Sequence, residues 1–176
     1  MKTSEVVHML GLLLGVVLLF APWGKAQSKV EPKGPVITKH YAADKGRYGT
    51  IWKIYIEAEA GETEMGKMAV VVEQPGRGYY PTDFILLDPQ HRNHLKGYLQ
   101  WNTFSSKGAA LKEGEYITLR ASVIDKAGNA SEEVVFPFTF VSGAQEEAGL
   151  PAPFDQGNIP RIGFISIDLI GEANGS

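Results

Sequence analysis

The clearest periodicity in this chain runs over residues 50–60 (TIWKIYIEAEA), where apolar and polar positions alternate. Trp52, Ile54, Ile56 and Ala58 fall on one parity; Lys53, Tyr55, Glu57 and Glu59 fall on the other. Successive strand side chains point to opposite faces, so this pattern predicts a half-buried antiparallel strand. It recurs over residues 116–125, with Ile117, Leu119, Ala121 and Val123 on one face and Tyr116, Thr118, Arg120, Ser122 and Ile124 on the other. Further strands are predicted over 35–43, 67–73, 82–87, 97–104, 133–141 and 161–170. In the last of these, Ile165, Ile167 and Leu169 share a parity. Turn clusters stand between them: Asp44-Lys45-Gly46, residues 61–66 (GETEMG), Pro75-Gly76 with Gly78, and residues 88–96 (DPQHRNHLK). No segment after residue 26 carries a sustained 3.6-residue stripe. Short strands at intervals of roughly 8–15 residues predict an all-β, antiparallel sandwich of about seven to eight strands.

The ends of the chain divide differently. Residues 1–8 are polar and carry Lys2, residues 9–23 (MLGLLLGVVLLFAPW) are apolar, and Gly24-Lys25-Ala26 sets small residues before Gln27. This is the three-part layout of a secretory signal peptide cut after Ala26. The apolar run is shorter than the roughly 20 residues a membrane-crossing helix needs, which argues against a retained anchor. The predicted organisation is a signal peptide over 1–26, a flexible leader over 27–33 and the sandwich over 34–142. A linker or crossing loop rich in Ala, Gly, Pro and acids follows over 143–160, then an additional strand over 161–171 and a disordered tail over 172–176.

The 176-residue chain has a net charge of −3 and no basic cluster, which argues against nucleic acid and anionic membrane surfaces as partners. It has no cysteine. Disulfides, thiol catalysis and thiolate metal sites are therefore excluded, and packing and backbone pairing must hold the fold.

Residues 111–140 carry the most specific signal. Leu111, Gly114 and Tyr116 have a spacing that resembles the tyrosine corner of immunoglobulin-like and fibronectin type III-like domains. There the tyrosine hydroxyl bonds back to the backbone just upstream. The turn Asp125-x-Ala127-Gly128-Asn129-x-Ser131 resembles one common in bacterial immunoglobulin-like domains. Gly128 and Asn129 suit positive φ, and Asp125 suits a carboxylate that accepts from turn amides. Trp52 is similar to the core tryptophan of such sandwiches. The antibody cysteine pair is absent, and residues 161–170 lie beyond the last expected strand. The resemblance implies a fold and a bacterial setting, and such sandwiches carry many unrelated functions.

Candidate chemistry is sparse. Asp88, His91 and His94 fall within one loop and offer oxygen and imidazole ligands for zinc or a similar ion, although their spacing fits no firm template. Asp125 and Asn129 could contribute to a calcium site only if other oxygens converged on them. Tyr79 and Tyr80, with Trp101 beyond them, form an aromatic set that can stack on a sugar or fill a protein pocket, or else fold into the core. Glu57 and Glu59 share a strand face about 7 Å apart, a separation that also occurs between glycosidase carboxylates. No Gly-x-Ser-x-Gly motif and no phosphate-cradling glycine loop is present.

The expectation is an exported, non-enzymatic binding or assembly module of the bacterial cell envelope, periplasmic, surface-bound or secreted. It requires no cofactor. Its partner is an envelope protein or glycan, and an exposed edge strand offers a route to a dimer. The competing expectation is a carbohydrate-binding, calcium- or zinc-dependent adhesin-like domain, or a hydrolase-accessory domain.

Overall fold

A computed structural model describes residues 33–104, 113–143 and 149–170. The signal peptide, most of the leader, Leu111 of the tyrosine-corner motif and the 172–176 tail lie outside the described residues. Among the described residues ten strands form: β1 (Val36–Ala42), β2 (Lys45–Gly46), β3 (Ile51–Glu59), β4 (Met65–Gln74), β5 (Gly78–Tyr79), β6 (Asp83–Leu86), β7 (His94–Asn102), β8 (Tyr116–Asp125), β9 (Val134–Phe140) and β10 (Arg161–Ile165). A single 3₁₀ turn spans Pro89–His91. The predicted strands are all present. The short β2 and β5 raise the number above the expected seven to eight.

The strands form two sheets. One has the order β1-β3-β7-β10; the other has the order β2-β9-β8-β4-β5, with β6 also paired to β4. Most pairs are antiparallel, and the hairpin of β8 with β9 has Leu119 opposite Phe136. First, second and fifth long strands in one layer, third, sixth and seventh in the other, is the strand order of an immunoglobulin-like sandwich. The molecule is such a sandwich.

Alternation decides which side chains meet between the layers. Trp52, Ile54, Ile56 and Ala58 from β3 are buried, as are Leu95, Leu99 and Trp101 from β7. Met68, Val70 and Val72 from β4, the four inward-facing apolar residues of β8, and Phe136, Phe138 and Phe140 from β9 close on them from the other sheet. Trp52 takes the expected central place, 4.5 Å from Phe138 between ring centres and 6.0 Å from Trp101. Its indole N–H donates to the Ala43 carbonyl at 2.8 Å, so burial leaves the polar end satisfied.

Two pairings depart from the antiparallel rule. β2 runs parallel to β9, and β10 runs parallel to β7. A parallel partner needs a long connection rather than a hairpin, and between β7 and β10 that connection includes the whole β8–β9 hairpin. β10 therefore sits where the fourth strand of this layer is found in immunoglobulin domains, while β6, next in chain order, pairs with the opposite sheet. The C-terminal strand thus pairs within the domain, as the fourth strand of the first sheet. The chain before β10 also packs on the sandwich. Phe154 is buried against Tyr55, 5.5 Å between ring centres, on the outer face of the first sheet.

Candidate functional site

The residues singled out from the sequence do not converge. Asp88 precedes the 3₁₀ turn and is exposed; His91, three residues on, is buried. His94 is the first residue of β7, not part of the loop, because it pairs in register with Glu59. Its Nδ1 lies 2.7 Å from Glu59 Oε1. Among the described residues no group of three His, Cys, Asp or Glu side chains could hold a metal ion. The proposed metal trio is therefore corrected to a turn, a packed histidine and a cross-strand pair.

The aromatic set also divides. Trp101 has no exposed surface, and its indole N–H donates to the Ile167 carbonyl at 2.9 Å. It cannot stack on a ligand. The reason lies in the final segment, whose Ile165, Ile167 and Leu169 are buried beside β7. Tyr80 packs against the core, and its hydroxyl accepts from the Ile170 amide at 2.8 Å and bonds to Gln74 Oε1. Gln74 in turn donates to the Ile170 carbonyl at 3.2 Å. Tyr80 and Gln74 thus clasp the end of the final segment onto the second sheet. Of the three rings, Tyr79 alone stands clear, 66 % exposed.

Tyr116 is corrected too. It lies on the outward parity of β8, half exposed, and lines a groove of about 570 Å³ with Gln74, Pro75, Arg77 and Glu113. A tyrosine corner needs the ring turned toward its upstream loop, and outward orientation removes that role. Gly114 does hold positive φ (85°) at the turn before it.

The Asp125 turn behaves as its residues predict. The Asp125 carboxylate accepts from the Asn129 amide at 2.8 Å and from Asn129 Nδ2 at 2.9 Å, while Gly128 takes φ 93°. Ser131 Oγ accepts from the Val123 amide at 3.0 Å. With its oxygens engaged by the turn, Asp125 is a structural group. Its carboxyl is held below the ordinary range, first by the Asn129 side chain and then by turn amides, against an opposing effect of burial.

The paired acids of β3 differ from each other. Glu59 is engaged by His94. Glu57 presents a buried oxygen, Oε2, with no hydrogen-bond partner, in a shallow groove with Thr38, Lys39, Ala152 and Pro153.

What sequence reasoning missed is a contrast between the two outer sheet faces. On the first sheet the loop carrying Phe154 lies over Tyr55 and leaves it buried, although Tyr55 has the outward parity. That cover is local, since Ile51 and Phe164 of the same sheet are 53 % and 52 % exposed, and on the second sheet no described segment does this. Leu86 is 78 % exposed and Phe84 52 %. Register sets Leu86 beside Lys67 and Phe84 beside Ala69. Val71 follows on β4, with Arg120 beside it on β8 and the exposed Val135 beyond on β9. Arg120 lies 3.9 Å from Glu73 and 4.0 Å from Glu133. The result is an apolar sheet surface crossed by a few compensating charges. The residues were readable: TDFILL, KMAVVVE and VVFPF are apolar on both parities, as strands covered on two faces are.

No family model matches the chain, and comparison with curated proteins finds no relative. Among solved structures, the PKD domain of an M14-like peptidase from Thermoplasmatales archaeon SCGC AB-540-F20 is similar at 11 % identity and a TM-score of 0.39. That match covers 64 % of this chain and 97 % of the other. The CARDB domain of a Pyrococcus furiosus protein, solved in complex with di-metal ions, is similar at 15 % identity and a TM-score of 0.35. It covers 65 % of this chain and 95 % of the other.

Proposed function

We propose that this chain is an exported, non-enzymatic interaction module that docks a protein partner on the outer face of its second sheet. One observation carries the reading: the outer face of the second sheet leaves Leu86, Phe84 and Val135 open beside Ala69 and Val71. Extended apolar patches on soluble domains mark interaction surfaces, and aromatic and aliphatic anchors dominate binding energy there. A flat sheet face suits a protein surface better than a small molecule, which needs a concave pocket. The sugar and metal alternatives are less well supported, since Trp101 is buried and no group of three His, Asp or Glu side chains among the described residues could hold a metal ion.

Site-specific photo-crosslinking in the producing cells tests this. A crosslinker at Leu86 is expected to give a discrete protein adduct, and one at Tyr55, buried beneath the loop carrying Phe154, is expected to give none. Equal labelling from both positions, or none from Leu86, overturns the reading.

A further inference from the structure

The open face has an internal arrangement that selects its partner. Along β4 the outward residues are Lys67, Ala69, Val71 and Glu73. Opposite charges stand at the ends, and short apolar side chains stand between. Resting on the docking reading above, we infer that the partner is a second copy of this chain, packed face to face with its strands antiparallel.

The argument is one of symmetry. A two-fold axis lying in the plane of the face and crossing β4 at Val70 sets Lys67 over Glu73 of the other copy, and Glu73 over its Lys67. The same operation sets Ala69 over Val71 in both directions. Leu86 is in register with Lys67, and Tyr79 with Glu73, so Leu86 falls over Tyr79. An isologous interface must be complementary to itself in this way. The other in-plane axis, along the strands, sets Lys67 on Lys67 and Glu73 on Glu73, and like charges directly opposed repel. Charge therefore selects the antiparallel pairing. The chain as a whole is acidic, but Lys67 and Arg120 balance Glu73 and Glu133 on this face, so two copies meet there without net repulsion.

Size sets the expected strength. Four strands about 4.8 Å apart and six residues of about 3.4 Å give a footprint of roughly 400 Å² per copy. That is about 800 Å² for the pair, below the roughly 1,200 Å² of standard specific interfaces, so a weak, transient dimer is expected.

Sedimentation equilibrium on the purified protein, up to about 500 µM, tests the inference. A reversible monomer–dimer equilibrium is expected. Lys67→Glu and Glu73→Lys are each expected to raise the dissociation constant about tenfold or more, by turning two attractions into two repulsions. The double variant Lys67→Glu/Glu73→Lys is expected to return it to within about threefold, since the pairing is restored with its sign exchanged. Far-ultraviolet circular dichroism keeps misfolding apart from lost association. A monomer at every concentration, or a double variant that fails to rescue, overturns self-association. If Leu86 then crosslinks to a different protein, the docking reading stands without this partner; if it crosslinks to nothing, both fall.

Discussion

At the scale of single residues, the Asp125 turn ties stability to pH. The carboxyl is lowered by the Asn129 side chain first, and by the turn amides. Its folded value lies below the unfolded one, so its contribution is complete above the ordinary carboxylate range, near pH 4, and is lost as pH falls through the folded value. Glu64, lowered by Lys126, and Glu113, lowered by Ser142, act in the same direction. Asp125→Asn is therefore expected to melt lower than the parent at neutral pH, and the gap should narrow between about pH 4 and pH 2. Thermal melts across that range check it, and parallel curves for the two proteins would refute it. This turn was legible because its bonds are local: Asp125, Gly128, Asn129 and Ser131 act within seven residues of each other. Trp101 was not, because the Ile167 carbonyl that takes its proton lies 66 positions away. Parity assigned Trp101 to one side of β7 without saying which side the core would claim.

At the scale of elements, the final segment is held by close approach as much as by burial. A Cβ on Gly97 would lie 2.5 Å from Ile162 Cγ1 and 2.7 Å from the Pro160 carbonyl, and one on Gly163 would lie 2.5 Å from Ile85 Cγ2. These two glycines let β10 slot between β7 and β6. The Ser166 amide also donates to Asp83 Oδ2 at 2.6 Å, linking the segment to the second sheet. Burying Ile165, Ile167 and Leu169 stabilises this arrangement by on the order of 5 kcal/mol. Gly97→Val is expected to cost about 2–3 kcal/mol, because the Pro160 backbone cannot yield as a side-chain tip can. Hydrogen exchange should show the amides of Ile167 and Leu169 losing protection more than those of β8, and uniform loss would contradict it. The strand itself was readable from its alternation. Its parallel pairing was not, since hydrophobic period reports which face is covered and not the direction of the neighbour.

At the scale of the whole molecule, the two layers follow from alternation alone. Trp52, Ile117 and Leu119 went to the core that their parity predicted. The loop over Tyr55 was hidden because Phe154 sits in a stretch whose Ala, Gly and Pro content reads as irregular. Export, as proposed, has a direct consequence at this scale. Protein recovered from outside the cytoplasm is expected to begin at Gln27, and N-terminal mass spectrometry reads this directly. A product retaining residues 9–23 would mean an uncut leader. The whole-molecule reading of function rests on the apolar residues that the outer face of the second sheet leaves open.

The position of β10 carries a last implication for biosynthesis. It follows every other strand in chain order, yet it shields the flank of Trp101 and Leu99 and fills one margin of the first sheet. While the polypeptide is still emerging, that margin has no neighbour and offers bare amides and carbonyls to whatever is near. A product truncated before Arg161 would keep its margin open permanently. The sandwich is sealed only once β10 has followed the other described strands out.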